Sequence, residues 1–203
     1  MPTAIYCVAH SGTGHGVETK DKISEFQLAT AVGKVFEKTL HAAKWDCMIV
    51  SGAQEIINQR ANALRAADPE AFALELHMNA PGPNVANPRF GHMVEHHKGN
   101  KVEHALARRV DSMIKKLLPS SRLLTVVEQP DPNFPNRAFL IGHPAGMWEH
   151  PFAGIIAPAF LVEAGFAMDP VFANFVKDPE NQGLLGWALA SAVVGYEVLE
   201  DAR

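Results

Sequence analysis

The chain has 203 residues, of which 47% are hydrophobic and 20% charged, a balance that is typical of folded globular proteins and excludes an intrinsically disordered chain. Its 18 basic and 22 acidic residues give a net charge of −4, which argues against the basic surface that a nucleic-acid-binding protein needs, so we expect no nucleic acid as partner. No linker and no internal repeat divides the sequence, and residues 1–203 are predicted to form one domain.

The first half of the chain alternates predicted strands with predicted helices. The apolar run over residues 4–9 ends at His10 and a glycine-rich turn, as a buried strand does before a loop. Ser24-Glu25-Phe26-Gln27 is a capping box, which marks the start of a helix whose apolar residues recur on one face up to Leu40. The other predictions for this half are strands over residues 45–50, 71–76 and 90–96 and a helix over residues 54–67.

The second half continues the same alternation. Apolar residues repeat every three or four positions from Val102 to Leu117, which predicts an amphipathic helix that ends before Pro119. Strands are expected over residues 123–127, 138–141 and 159–163, and a terminal helix over about 182–199. The alternation predicts an α/β fold in which a single twisted, mostly parallel β-sheet is flanked by helices on both faces.

Three further features concern compartment, membrane insertion and redox state. Residues 1–6 have neither the basic region nor the apolar core of a signal peptide, so we expect synthesis in the cytoplasm. The uncharged stretch from Gly183 to Tyr196 is 14 residues long, shorter than the roughly 18 needed to span a bilayer, and we expect no membrane insertion. Cys7 and Cys47 lie in short apolar runs and are predicted to be reduced core residues.

Three polar residues stand at the predicted ends of strands, where the active sites of such sheets collect. They are His10, His77 and Glu163. A single histidine or glutamate at such a position is more often a hydrogen-bonded structural residue than a ligand. Two imidazoles and a carboxylate with one position left open are, however, the donor set of a catalytic zinc, beside which a further carboxylate can serve as acid or base. The convergence of these residues therefore indicates a catalytic zinc site.

Four short motifs carry a resemblance to a known family. They are Val8-Ala9-His10-Ser11, Ser24-Glu25-Phe26-Gln27, Leu74-Glu75-Leu76-His77-Met78-Asn79-Ala80 and Phe160-Leu161-Val162-Glu163-Ala164-Gly165-Phe166. In this pattern the chain resembles the zinc-dependent N-acetylmuramoyl-L-alanine amidases found in bacterial autolysins and as catalytic domains of phage endolysins. The resemblance covers nearly the whole chain and implies the zinc-exopeptidase-like amidase fold. Arg60 and Asn62 also resemble the family's helix before the second histidine, and we interpret them as structural.

The resemblance also implies a site and an activity. It implies that His10, Glu25 and His77 bind Zn²⁺ and that Glu163 is the catalytic residue. The zinc would activate a water and polarise the scissile carbonyl while Glu163 moves the proton. The bond cleaved would join the lactyl group of N-acetylmuramic acid to L-alanine, so the partner would be peptidoglycan or a soluble muropeptide. Alternatives are another zinc amide hydrolase, such as a carboxypeptidase or an N-acyl amino acid hydrolase, and a wall-binding domain that has lost catalysis.

The expected role is that of a phage or prophage endolysin. The resemblance leaves no segment for a wall-anchoring module and the sequence shows no export signal, so we expect the enzyme to act on the cell wall after another protein releases it. An amidase that recycles muropeptides in the cytoplasm is the competing role.

Two histidines are candidates for the first zinc ligand. The family usually has Gly-His-Gly at this position, and this chain has Gly14-His15-Gly16 in addition to Ala9-His10-Ser11. His10 directly follows the predicted strand and lies 15 residues before Glu25, whereas His15 lies 10 residues before it, inside the loop. The spacing therefore favours His10.

A second histidine motif has a competing interpretation. Residues 92–96 spell the H-x-x-E-H of inverted zinc proteases, which requires a helix to bring both histidines to one face. On a strand the two histidines would be about 13 Å apart, too far to share an ion. We predict a strand, with His96 and His97 exposed at its end.

Overall fold

Six strands and five helices form the part of the chain that the computed structural model describes, which comprises residues 2–11, 16–79, 91–97, 99–119, 123–129 and 159–200. The strands are β1 (Thr3–Val8), β2 (Asp46–Val50), β3 (Phe72–Asn79), β4 (His92–His97), β5 (Leu123–Gln129) and β6 (Ala159–Phe166). The helices are α1 (Glu25–Ala42), α2 (Gln54–Ala67), α3 (Lys101–Leu117), α4 (Pro170–Val176) and α5 (Pro179–Glu200).

All six strands belong to one sheet, in the order β2-β1-β3-β6-β4-β5. Every neighbouring pair is parallel except β4 and β6, which run antiparallel. Strand β6 comes last along the chain but lies between β3 and β4, so it joins the two halves of the sheet. The predicted α/β fold with a mostly parallel sheet is confirmed.

Apolar side chains cover both faces of the sheet. The larger cluster packs α1, α3 and α5 against one face, around large buried residues such as Tyr6, Phe36 and Phe160. The smaller cluster packs α2 against the other face through Ile57 and Ala61. The Tyr6 hydroxyl donates to the carbonyl of Ala29 at 2.9 Å, which satisfies the one polar atom that this ring carries into the core.

Most predicted elements are present, several with different ends. The helix over residues 54–67 is confirmed at both ends, and α1 begins at the predicted capping box. The short helix α4 was not predicted, and the strand predicted over residues 138–141 lies outside the described residues. Cys7 and Cys47 are buried and unoxidised, as predicted. None of the described helices is long and apolar enough to cross a membrane.

Two predictions about strand ends were wrong. Strands β3 and β6 continue past His77 and Glu163 to Asn79 and Phe166, because the two strands stay paired with each other beyond those residues. The pairing carries an irregularity between His77 and Asn79, which is typical of a sheet next to a functional site. Residues 92–97 form the predicted strand, but His96 is buried and His97 partly buried, whereas both were predicted to be exposed. The reason is that His104 and Glu103 of α3 pack against them.

Candidate metal centre

Three of the predicted site residues meet at one edge of the sheet. His10 lies two residues beyond β1, Glu25 is the first residue of α1, and His77 lies near the carboxyl end of β3. Each offers one ligand atom, and these atoms all lie within 4.8 Å of one another. Within the described ranges, this is the one group of three or more His, Cys, Asp or Glu side chains with that geometry.

Glu25 lies at the centre of the group and is held by the backbone. Its side chain is 3% exposed, and its two carboxylate oxygens accept N–H groups from Val17 at 3.2 Å and Met78 at 3.0 Å. The helix start does not need this carboxylate, because Ser24 and Gln27 cap each other's backbone N–H groups. Glu25 is therefore free to point into the site although it begins a helix.

The two histidines approach Glu25 from different sides. Nδ1 of His77 lies 2.7 Å from Oε1 of Glu25, and Nε2 of His10 lies 3.3 Å from Oε2. The two rings meet edge to face, with centroids 5.4 Å apart. The His77 side chain is 15% exposed and the His10 side chain 39% exposed, so the group opens to solvent on the His10 side.

The electrostatics couple these three residues. Burial raises the pKa of Glu25, but hydrogen bonds and charge from His10 and His77 outweigh burial and lower it to about 2. Burial lowers the pKa of His77, but the negative charge of Glu75, with Glu25 and Glu163, outweighs burial and raises that pKa above its ordinary value. The group therefore concentrates negative charge, which favours a bound cation.

Glu163 lies beside His77. The two residues are direct partners in the β3–β6 register, so their side chains project from the same face of the sheet. Glu163 is partly buried, and its charge contributes to the raised pKa of His77. The structure thus brings the predicted catalytic residue next to His77, one of the three predicted ligands, while leaving it outside the three-residue group.

The loop after β1 is shaped to deliver His10. The His10 backbone adopts a positive φ of 53°, a conformation that histidine tolerates better than most residues. Ser11 fixes the loop next to it: its hydroxyl donates to the Gly52 carbonyl at 2.8 Å and accepts the Gly52 N–H at 2.5 Å. His15, the alternative first ligand, lies outside the described residues.

Two residues that matter to this geometry were not singled out from the sequence. Gly16 has a φ of +70°, and a Cβ there would lie 2.7 Å from Cβ of Glu25 and 2.9 Å from Cδ2 of His10. Glu75 is fully buried, and its Oε1 lies 3.2 Å from Nε2 of His77. The signal for Glu75 was available, because residues two apart on a strand share a face. Arg60, interpreted as structural, donates to the Ser51 carbonyl at 3.4 Å.

Comparison with known proteins gives a consistent family and fold. The family model described as "N-acetylmuramoyl-L-alanine amidase" matches residues 5–194. Among curated proteins, no sequence matches the chain.

Solved structures resemble the chain over almost its full length. The amidase AmiC2 of Nostoc punctiforme is 16% identical with a TM-score of 0.70, covering 97% of each chain. The catalytic domain of CwlV from Bacillus (Paenibacillus) polymyxa var. colistinus is 14% identical with a TM-score of 0.71, covering 98% of this chain and 99% of that one. The catalytic domain of the CD27L endolysin, which targets Clostridia difficile, is 14% identical with a TM-score of 0.55, covering 92% of this chain and 96% of its own. At these identities the likeness establishes the fold.

Proposed function

We propose a zinc-dependent mechanism for this chain, which belongs to the N-acetylmuramoyl-L-alanine amidase family. Enzymes of this family hydrolyse the amide bond between N-acetylmuramic acid and L-alanine in peptidoglycan. The observation that carries the zinc proposal is the convergence of His10, Glu25 and His77, whose ligand atoms lie within 4.8 Å of one another. Two imidazoles and one carboxylate match the donor set of catalytic zinc sites, which keep a fourth position open.

The residues of the chain would divide the work as follows. Zinc held by His10, Glu25 and His77 would supply a Lewis acid for the scissile carbonyl and for the attacking water. Glu163, on the same face as His77, would accept the proton of the attacking water and then donate it to the leaving amine of L-alanine. The backbone N–H groups that hold Glu25 would keep this ligand in place before any ion binds, so little reorganisation is needed.

Metal analysis combined with a digestion assay tests the zinc assignment. We expect one zinc per chain in the purified wild-type protein and release of L-alanine-terminated peptides from peptidoglycan. His77→Ala should lose both, and equal zinc content in the two proteins would contradict the assignment. His10→Ala and His15→Ala form a matched pair: we expect zinc loss in His10→Ala alone, and loss in His15→Ala alone would transfer the ligand role to His15.

The cellular role is a second part of the proposal. We propose that the enzyme is made in the cytoplasm and acts on the intact cell wall after release, as a phage or prophage endolysin. The observation that motivates this role is that the catalytic domain of the CD27L endolysin has the same fold. Purified protein added to intact sacculi and to soluble muropeptides separates the two roles. Solubilisation of sacculi is expected, and activity confined to soluble muropeptides would indicate recycling.

A further inference from the structure

Glu75 is a carboxylate buried in an apolar part of the sheet. It is 0% exposed and lies on β3 between two apolar neighbours in register, Cys7 on β1 and Leu161 on β6. Both neighbours belong to the smaller apolar cluster on this face. A carboxylate is costly to bury in such surroundings, and an apolar side chain of similar volume often serves stability as well or better. Stability alone therefore gives little reason for a carboxylate at this position.

The partner of Glu75 is one of the proposed metal ligands. Glu75 and His77 are two residues apart on β3, and Oε1 of Glu75 lies 3.2 Å from Nε2 of His77. The other ring nitrogen, Nδ1, lies 2.7 Å from Oε1 of Glu25. The ring is thus held between two carboxylates, with Glu75 on the buried side and Glu25 on the side of the proposed metal centre.

From this arrangement we infer that Glu75 is a positioning residue: it accepts the Nε2 proton of His77 and so reserves Nδ1 for the metal. A neutral imidazole carries its proton on one nitrogen only, and the hydrogen bond made by that nitrogen decides which one binds a metal. A carboxylate behind a histidine ligand also fixes the ring orientation and makes the ligand more basic. In this structure the two atoms lie 3.2 Å apart without hydrogen-bond geometry, so we expect the contact to shorten and align into a hydrogen bond when zinc is bound.

This inference rests on the proposed zinc site, and its test uses zinc itself as the probe. The variant is Glu75→Gln, which keeps the size and an acceptor oxygen but removes the charge. Glu95→Gln is the matched control, because Glu95 is 1% exposed and faces the same residue, Leu161, from the opposite side of β6. Zinc affinity is measured by competition with a chelator, and the thermal midpoint is measured with and without zinc.

We expect Glu75→Gln to bind zinc about 10–100-fold more weakly than the wild type, with a smaller zinc-induced rise in the thermal midpoint. Glu95→Gln should keep wild-type zinc affinity whatever it does to stability. Equal zinc affinity in Glu75→Gln and the wild type would overturn the inference while leaving the zinc site intact. A wild-type protein that binds no zinc would overturn both the inference and the proposed function.

A second measurement needs no variant, so it decides the matter even where Glu75→Gln fails to fold. Long-range ¹H–¹⁵N correlation spectra of the zinc-loaded, ¹⁵N-labelled wild-type protein report which ring nitrogen of His77 carries the proton. We expect the proton on Nε2 and none on Nδ1. The opposite assignment, with the proton on Nδ1, would overturn the inference.

Discussion

Two regions of the molecule are rich in histidine and carboxylate side chains but arrange them differently. The first cluster lies at the carboxyl ends of β1, β3 and β6 and comprises His10, Glu25, Glu75, His77 and Glu163. The second cluster lies where β4 packs against α3 and comprises His92, His96, His97, Glu103, His104 and Asp111. Both contain buried carboxylates next to imidazoles, yet only the first brings three ligand atoms within 4.8 Å of one another among the residues described.

In the second cluster each histidine has a partner of its own. His92 is 2.8 Å from Asp111, and His97 is 2.8 Å from Glu103. His96 uses both nitrogens: Nδ1 donates to the His97 carbonyl at 2.9 Å, and Nε2 lies 3.1 Å from His104. Most of these contacts join β4 to α3 pair by pair, and among the described residues they bring no three ligand atoms together as the first cluster does.

In the first cluster, several side chains instead converge on one point. Its members arrive from a loop, a helix start and two strands, and Glu25 is shared between both histidines. The comparison teaches that a metal site is identified by several donor atoms that converge on one point. Histidine and carboxylate side chains that bond only in pairs instead hold secondary-structure elements together. The following predictions test that distinction.

The largest effect is expected from two glutamates, one in each cluster. Glu163→Gln should lower the rate of amide hydrolysis by about 10²–10⁴-fold, because glutamine keeps the shape but cannot accept the proton. Zinc content should be unchanged, because Glu163 is not a proposed ligand.

Glu103→Gln is the counterpart in the second cluster. Glu103 is fully buried and accepts the backbone N–H groups of His97 and Ala159, both at 2.6 Å. Its substitution should lower the thermal midpoint with little change in turnover. Turnover, zinc content and thermal midpoint are measured on the same preparations of both variants. Loss of zinc in Glu163→Gln would show that Glu163 is a ligand.

Removing one histidine from each cluster gives the next largest contrast. His77→Ala should abolish stoichiometric zinc binding, because it removes one of three proposed ligands. His96→Ala should retain one zinc but lose about 1–3 kcal/mol of stability, because it leaves the partners of a buried ring unsatisfied. Metal analysis and urea denaturation check both variants. Zinc loss in His96→Ala would show that the second cluster takes part in metal binding.

Alanine substitutions at two glycines distinguish the effect of contact with the site from the effect of backbone strain. Gly16 and Gly99 both have positive φ, +70° and +77°, so alanine at either position should cost about 1–2 kcal/mol. Only at Gly16 would the new Cβ press on Glu25 and His10; at Gly99 nothing lies within 4 Å. Gly16→Ala should therefore weaken zinc binding as well as stability, whereas Gly99→Ala should weaken stability alone. Equal zinc affinity in both variants would mean that the loop containing Gly16 shifts to accommodate the new Cβ without moving the ligands.

The smallest effect concerns pH and His92. Burial lowers the pKa of His92, and the hydrogen bond with Asp111 only partly opposes this. The unfolded chain therefore takes up a proton near the ordinary histidine pKa of about 6.5, where the folded protein does not. The stability that this residue contributes is complete above that pH and is lost as the pH falls below it. When the free energy of unfolding is measured with urea between pH 7.5 and pH 5, it should fall less with decreasing pH in His92→Gln than in the wild type. The same pH dependence in both proteins would contradict this.

The fold was largely predictable because local signals agree with the final structure. The capping box at Ser24 and the proline after Asp68 mark helix ends by backbone chemistry that does not depend on the rest of the chain. Asp169 and Pro170 mark the start of α4 in the same way, and this signal was overlooked. A polar residue after an apolar run predicts the end of a strand. For this reason the predicted ends of β3 and β6 lie earlier in the sequence than the observed ends.

The convergence of the proposed ligands was predictable from the sequence, but the residues that support them were not predicted. His10, Glu25 and His77 could be proposed from motif and resemblance, and they stand together. The burial of His96 depends on where α3 packs, which no local pattern of β4 encodes. Glu75 could have been identified because it lies two residues before His77 on the same face of the strand, although the apolar run around it predicts only a buried strand. Contacts between distant elements are what the sequence alone does not reveal.

The position of β6 bears on when this enzyme becomes active during synthesis. Among the described strands, β3 and β4 meet only through β6, which spans residues 159–166 and carries Glu163. A nascent chain that has left the ribosome only as far as residue 150 therefore has its proposed metal ligands but neither the strand that joins the two halves of the sheet nor Glu163, the proposed proton-transfer residue. Domains form from the N-terminus during translation, and pairings between distant segments come late. We therefore expect catalytic competence only after β6, which ends at Phe166, has been made.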